Sequence, residues 1–564
     1  VDFFKTMNIA LRVFASWGLV ITLATPLCAH TFTYLNGHTV DAEFVALAGN
    51  QVTLDISGKP VVVLLGLFSA VDQKFIRDSA TAGSNPSNPA ALATDKYVMP
   101  ANRRSIHEWV TGDGVQDDAS GVAKAFTAAR NRAFTLVIDC PVRIHIGMDI
   151  SRPVFIDNDT SVEFTEHGLF LVDNVMVPAF VIANSSSIRL LNWNIEYVGG
   201  LPIDDRALLG YYDQGVFIKK DGYAQPAFAF NGVVAQWLTK NRGLQFSRGA
   251  TAQWHGPSNL TAIFYMIGSS SDVIFNHFRM FVPKSSGGHQ FIPMAFTALV
   301  EFNSNQVVTR EKPLNAANAS VPSNIRFDDI ELDGYYFGWQ GTFHGATFHN
   351  IRAYRYGDLQ DENGGNSGGV GKWFAPPHLF YLNDNDAACV FRNENIHISD
   401  VIDHGLRVGV ARDRDPNHTS GYANSLKFGG VNSFIDHYRS DRPDGLADIL
   451  NCNNVIISDV EATYDSSFLN DIFPGIRFPG PAANIGLPGK SIVNLTIRNL
   501  TLVDKAAVTR KRPVYNSTTP LNKNITLENV KVELHKWAGD GKIDPTFRGE
   551  NNHIDIKYII LPKI

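Results

Sequence analysis

The chain has 564 residues, 44% hydrophobic and 18% charged, which is enough apolar content for a large core and excludes a disordered or collagen-like protein. With 49 basic against 55 acidic side chains it carries no blanket positive field, so non-specific nucleic-acid binding is excluded as the main activity and any anionic partner must meet a local basic cluster. The 46 Gly and 27 Pro predict short strands joined by turns, with long helices scarce.

Residues 7–29 place Arg12 before an apolar run from Val13 to Leu23 and end in Leu27-Cys28-Ala29, the pattern of a secretory signal cleaved after Ala29. Ser16, Trp17, Gly18 and Pro26 interrupt the run and argue against a membrane anchor, and no later apolar run is long enough to span a bilayer. The expected location is therefore secreted or periplasmic, without stable membrane insertion. Cys140, Cys389 and Cys452 remain downstream; with no CxxC and no paired spacing they signal neither a disulfide framework nor a zinc site.

Residues 30–78 alternate as short strands, Val40–Val45, Gln51–Leu54 and Val61–Leu64, with a turn at Gly58-Lys59. Together with Asp41-Ala42-Glu43-Phe44 and the closing run Leu67 to Ile76, this order resembles the first SLA-type homology domain, which implies a small SH3-like β-barrel acting as an accessory module. The resemblance departs at Phe32-Thr33-Tyr34, where the family has Arg-x-Trp. Residues 79–103 read as a Ser/Asn/Pro/Ala-rich linker.

From residue 104 to 564 the organising feature is an internal repeat. Six copies of an Asx or small residue, three alternating apolar positions and a second Asn or Asp begin at Asn324, Gly345, Asn395, Asn454, Asn494 and Asn524; weaker copies begin at Ser187, Asp272 and Ser425. Period-2 apolar residues make each copy a strand, and the Asn or Asp before the last apolar residue suits a left-handed corner whose amide can ladder to the next coil. Variable spacing between copies is what stacked coils with loops of different length produce. The prediction is an all-β chain whose main body is a right-handed parallel β-helix.

The run Gly112-Asp113-Gly114-Val115-Gln116-Asp117-Asp118, followed by Ala119 to Ala129, predicts a turn and an Asp cap opening a short amphipathic helix over the first coil. It resembles the opening motif of the pectate-lyase superfamily, whose members include lyases, hydrolases, epimerases and phage spikes, so the likeness implies fold more than reaction. Asp117-Asp118 are read as capping groups rather than paired catalytic carboxylates.

Segments recurring once per coil, such as Gly334 to Trp339, Gly405 to Val410 and Gly445 to Leu450, place Tyr336, Arg407 and Asp448 on one exposed sheet, while His378, Tyr381 and His404 converge nearby. The expected catalytic set is Arg407, His378, Tyr381 and His404. Tyr336, Trp339, Lys372, Trp373, Arg412 and Arg414 are expected to bind substrate, Lys372 and Trp373 from the long insertion Tyr356 to Pro377. Cations beside Tyr and His suit β-elimination on a uronic-acid-containing polysaccharide. Two alternatives stand beside it: a glycoside hydrolase using Asp384, Asp386 or Asp448, and a non-catalytic carbohydrate-binding adhesin. The pectin hydrolases of this superfamily imply Asn-Thr-Asp, Asp-Asp, Gly-His-Gly and Arg-x-Lys; only Asn383-Asp384 and Asp403-His404-Gly405 echo them. No metal ligand set or cofactor is expected, and calcium held between a uronate and an Asp is left open.

Overall fold

The computed structural model describes residues 30–33, 39–48, 51–56, 59–65, 68–69, 71–73, 75–76, 101–147, 151–174, 178–198, 219–220, 223–224, 240–241, 262–282, 294–302, 319–335, 337–354, 378–382, 393–404, 425–441, 446–464, 476–478, 492–504, 514–516, 522–535 and 551–561. The chain divides into two compact units, Val1–Asp95 and Lys96–Ile564. The proposed signal segment lies outside the described residues. Among them, no helix is long and apolar enough to cross a membrane.

In the first unit, strands His30–Thr33, Thr39–Ala48, Gln51–Ile56 and Lys59–Leu64 pair antiparallel in chain order. Alternation turns Val52 and Leu54 inward, where they meet Phe32, Ala42, Leu65, Phe68 and Ile76. Asp72 accepts from the Thr33 amide at 2.9 Å and from Ser69 Oγ at 2.7 Å, tying the chain after the last strand to the first. Among the described residues the first strand does not pair with the last, so this is an open meander and the expected SH3-like closure finds no support.

The second unit is a parallel solenoid. Its first face stacks Phe180–Ala183, Ala262–Ile267, Met294–Leu299, Trp339–Gly341 and Phe380–Leu382, then the opening residues of Leu426–Asp441 and Ala447–Tyr464, then Ile476–Phe478 and Val514–Asn516. A second run of strands follows in each coil: Ser271–Phe281, Ser323–Asp333, His344–Tyr354, His397–Asp403, the later parts of the two long strands, Ile492–Asp504 and Lys523–Leu534. The solenoid begins within the expected linker, since Arg103 already pairs with Thr135.

Two columns of left-handed residues bend every coil. One runs Ser187, Asp272, Asn324, Gly345, Asn395, Asn432, Asn454, Asn494, Asn524; the other runs Asn192, His277, Asp329, Asn350, Asp400, His437, Asp459, Asn499, Asn529. Asn and Asp tolerate this conformation better than other L-residues. Their side chains also ladder between coils, as in Asn454 Nδ2 to Asn432 Oδ1 at 2.8 Å, Asn524 to Asn494 at 2.8 Å and Asn529 to Asn499 at 2.9 Å. The weak repeat expected at Ser425 is corrected: the corner residue is Asn432, whose copy carries Ser433 at the first apolar place and His437 at the second corner and so departs from the pattern.

Because parallel register puts equivalent residues about 4.8 Å apart on successive strands, the core aromatics stack. Phe180, Phe264, Phe296, Trp339 and Phe380 follow one another at 4.9, 5.4, 5.4 and 5.0 Å with interplanar angles of 7–19°. Phe275, Phe327 and Phe348 form a second column at 4.8 and 5.0 Å. Each such pair contributes roughly 0.5–1.5 kcal/mol beyond its area burial.

The helix Ala119–Ala129 buries Ala119, Val122, Ala125, Phe126 and Ala129, and Phe126 reaches Phe180 and Trp193, both at 6.2 Å. Asp118 holds the N-cap position, but its side chain does not cap the helix; it accepts from the Thr111 and Gly112 amides at 2.8 and 3.1 Å and so fixes the preceding turn. Asp117 Oδ1 takes the Ala119 and His145 amides at 3.1 and 3.0 Å, and its other oxygen meets Arg152. Burial pushes the Asp117 carboxyl up, and those bonds outweigh it to hold it below its ordinary value.

Candidate functional site

Four of the expected site residues lie among those described. Trp339 is corrected: it is fully buried between Phe296 and Phe380, because Tyr335, Phe337 and Trp339 share one parity and all point into the core. His378 is corrected as well, with 1% exposure and its ring stacked on Phe337 at 5.6 Å and 12°. A residue so enclosed cannot touch a polysaccharide. His404 is exposed, stacked on Tyr354 at 5.0 Å and 3.7 Å from Asp441. Tyr381 occupies the alternate face from Phe380 and keeps 8% of its surface exposed.

Tyr336, Lys372, Trp373, Arg407, Arg412 and Arg414 fall outside the described residues, as do Asp384 and Asp386. The first-face strand Phe380–Leu382 has Trp339–Gln340 on one side and Leu426–Phe428 on the other, so the residue beside Tyr381 in that stack is Lys427.

The register then defines one row across the first face: Gln340, Tyr381, Lys427, Asp448, Arg477, Tyr515. Asp448 was expected there. Lys427 and Arg477 were not; the repeat read at Ser425 keeps the parity of Leu426-Lys427-Phe428 but assigns it to the wrong face of the coil. Lys427 Nζ donates to Tyr381 Oη at 3.3 Å and lies 4.7 Å from the centre of its ring, which ties an ammonium to a phenol on adjacent coils. Upstream, the same row is apolar or neutral and buried: Val181, Tyr265 and Thr297 precede Gln340.

A second polar lattice lies on the next face. His349 Nδ1 meets Asp328 Oδ1 at 2.7 Å while its Nε2 lies 3.3 Å from Asp400, so one imidazole joins two carboxylates. Arg326 donates to Asp328 at 2.7 Å, and His277 pairs with Asp329. One end of this lattice is half-buried, where Asp436 lies 3.0 Å from His437 and 3.5 Å from His397. Two-residue periodicity alone could have placed Asp328, His349 and Ser399 in one outward column; their pairing needed the register.

Beneath the surface, Asp403 is completely buried and accepts from Ser440 Oγ at 2.9 Å and from Ser425 Oγ. Ser425 also bonds Tyr438, whose hydroxyl burial and then the Asp403 charge hold well above its ordinary value. These groups close the core where the aromatic column gives way to Leu426.

A scan of the chain against protein-family models gives no match, and neither does a search of curated proteins. Solved structures similar to it include tailspike protein 2 from Escherichia coli O157:H7 bacteriophage CAB120, at 10% identity and a TM-score of 0.40 over 94% of this chain and 63% of that one. PfbA, a surface adhesin of Streptococcus pneumoniae, is 11% identical with a TM-score of 0.36, covering 81% of this chain and 91% of that one. An iota-carrageenase complexed to iota-carrageenan fragments is 8% identical with a TM-score of 0.34, covering 83% and 94%. The chain thus spans less than two thirds of the tailspike's length. At this level of similarity none of them carries an inference about activity.

Proposed function

We propose that the solenoid binds an acidic polysaccharide along its first face and cleaves it by β-elimination. The observation that carries this reading is the Lys427–Tyr381 pair, with Asp448 and Arg477 at the next two positions of the same row. A chain of uronic acids laid across the coils meets one of these residues about every 4.8 Å. Lys427 neutralises the uronate carboxylate, which makes the neighbouring C5 proton removable. The C5–H bond breaks to a base, the C4–O bond breaks to the leaving sugar, the C4=C5 bond forms, and the leaving oxygen takes a proton. Tyr381 supplies the phenol for that proton transfer. The test is incubation with uronate-containing and sulfated polysaccharides, reading unsaturation and reducing ends together.

A second reading has its own observation. The Asp328–His349–Asp400 arrangement offers two carboxylates on the other face, the groups a glycoside hydrolase needs as acid and as base or nucleophile. Reducing ends without unsaturation, lost in Asp328→Asn and kept in Lys427→Ala, would select it. Binding without any cleavage would select a carbohydrate-binding adhesin.

A further inference from the structure

The turn that opens the solenoid brings together three side chains that neither polysaccharide reading uses. His107 follows the short strand Arg103–Ser105, and Asp139 and Cys140 lie in the bend between strands Thr135–Ile138 and Pro141–Gly147. One ligand atom from each lies within 4.8 Å of the others. Among the described residues this is the one group of metal-ligating side chains gathered so closely.

Gly112 keeps the space between them open. Its φ is +70°, and a Cβ there would fall 2.6 Å from Cys140 Sγ and 2.8 and 3.0 Å from two atoms of the His107 ring. Glycine satisfies both the left-handed backbone and the clearance. The carboxylate is oriented in advance, because Ser105 Oγ donates to Asp139 Oδ1 at 2.8 Å, as the outer hydrogen bond of a metal ligand does. Cys140 is 4% exposed, while His107 is open to solvent, so the cluster has a dry side and an entry side.

From this geometry we propose that His107, Asp139 and Cys140 bind one divalent ion of zinc type, with water in the fourth position. Nitrogen, oxygen and sulfur donors at zinc bond lengths lie about 3.3–3.6 Å apart in a tetrahedron, so ligand atoms within 4.8 Å of one another have at most about 1.5 Å to close. On binding, the S–H bond of Cys140 breaks, its proton leaves to water, and the thiolate bonds the metal; no electron is transferred. Burial first, then the charges of Asp139 and Asp118, pushes the metal-free Cys140 thiol up to about 11, and a bound cation offsets that repulsion. The ion staples the Gly112 turn and the 106–108 segment to the first coil, so it fastens the cap of the solenoid.

The probe is cobalt, followed by zinc, added to the full chain after chelator treatment. Wild type should bind one Co2+ per chain with thiolate charge-transfer absorption and tetrahedral visible bands, and zinc should displace it and raise Tm. His107→Ala, at an exposed position that leaves folding intact, should lose the visible bands and the zinc-dependent rise in Tm. Ser105→Ala should keep the bands and weaken affinity about 10–100-fold. Cys140→Ala should lose the charge-transfer band; should that variant fail to fold, His107→Ala and Ser105→Ala still decide. Absence of a charge-transfer band in folded wild type, its survival in Cys140→Ala, or equal zinc affinity in His107→Ala would each overturn the proposal.

Discussion

The upstream and downstream coils of the solenoid differ on both sides of the same sheet. From Phe180 to Phe380 the inner row is aromatic and the outer row, Val181, Tyr265, Thr297 and Gln340, is buried. From Leu426 onward the buried positions are Leu426 and Ala447, and the register carries Lys427 on to Asp448, Arg477 and Tyr515. Stacked rings fill the core from Phe180 to Phe380, and aliphatics take their place at Leu426 and Ala447. The core packing is written on one parity of these strands, and the Lys427–Tyr381 contact on the other.

Substitutions break this comparison unequally. Trp339→Ala removes the centre of the aromatic column and should cost about 3–5 kcal/mol, measured by denaturant unfolding with unchanged slope. A loss below 1 kcal/mol would mean that the column relaxes around the gap. Lys427→Ala should lower turnover on the active polysaccharide about 10²–10³-fold with little change in Tm, because it removes a charge used as the transition state forms. Lys427→Arg should retain more activity than the alanine variant.

At the corners, Asn494→Ala removes a left-handed Asn that accepts from Asn524 at 2.8 Å. The expected cost is about 1–3 kcal/mol, summing the lost hydrogen bond and the backbone preference, and Asn494→Gly should recover the backbone part. The smallest effect concerns pH. Asp117 has a folded value below its unfolded one, so it contributes stability above the unfolded pKa of about 3.9 and loses it as pH falls through the folded value. Asp117→Asn should therefore flatten the acid limb of Tm against pH and leave the alkaline limb unchanged.

The corner columns were legible in the sequence because two requirements coincide on one residue type: left-handed geometry and an amide that ladders. Ile396, Ile457 and Ile497 accordingly point inward, with exposures of 0, 4 and 1%. Parity was legible only where the repeat was aligned correctly. The copy at Asn432 carries Ser433 and His437 where the pattern has an apolar residue and an Asn or Asp, so the repeat is read seven residues early, at Ser425, and Lys427 is assigned to the wrong face. Side-chain chemistry does not set direction here: Trp339 lies two residues from the buried Phe337 and His378 two from the buried Phe380, and both share the inward parity. The His107–Asp139–Cys140 cluster was invisible because its members are brought together by the coil and not by spacing along the chain.

The central claim is that the outer row at Tyr381 and Lys427 cleaves an acidic polysaccharide by β-elimination. Its most direct measurement is the absorbance of the new C4–C5 double bond during digestion of a uronate polysaccharide panel by wild type and by Lys427→Ala at matched folding. The account predicts unsaturated product from wild type and at least about a hundredfold slower appearance from the variant. Reducing ends without unsaturation, or equal rates in the two proteins, would contradict it.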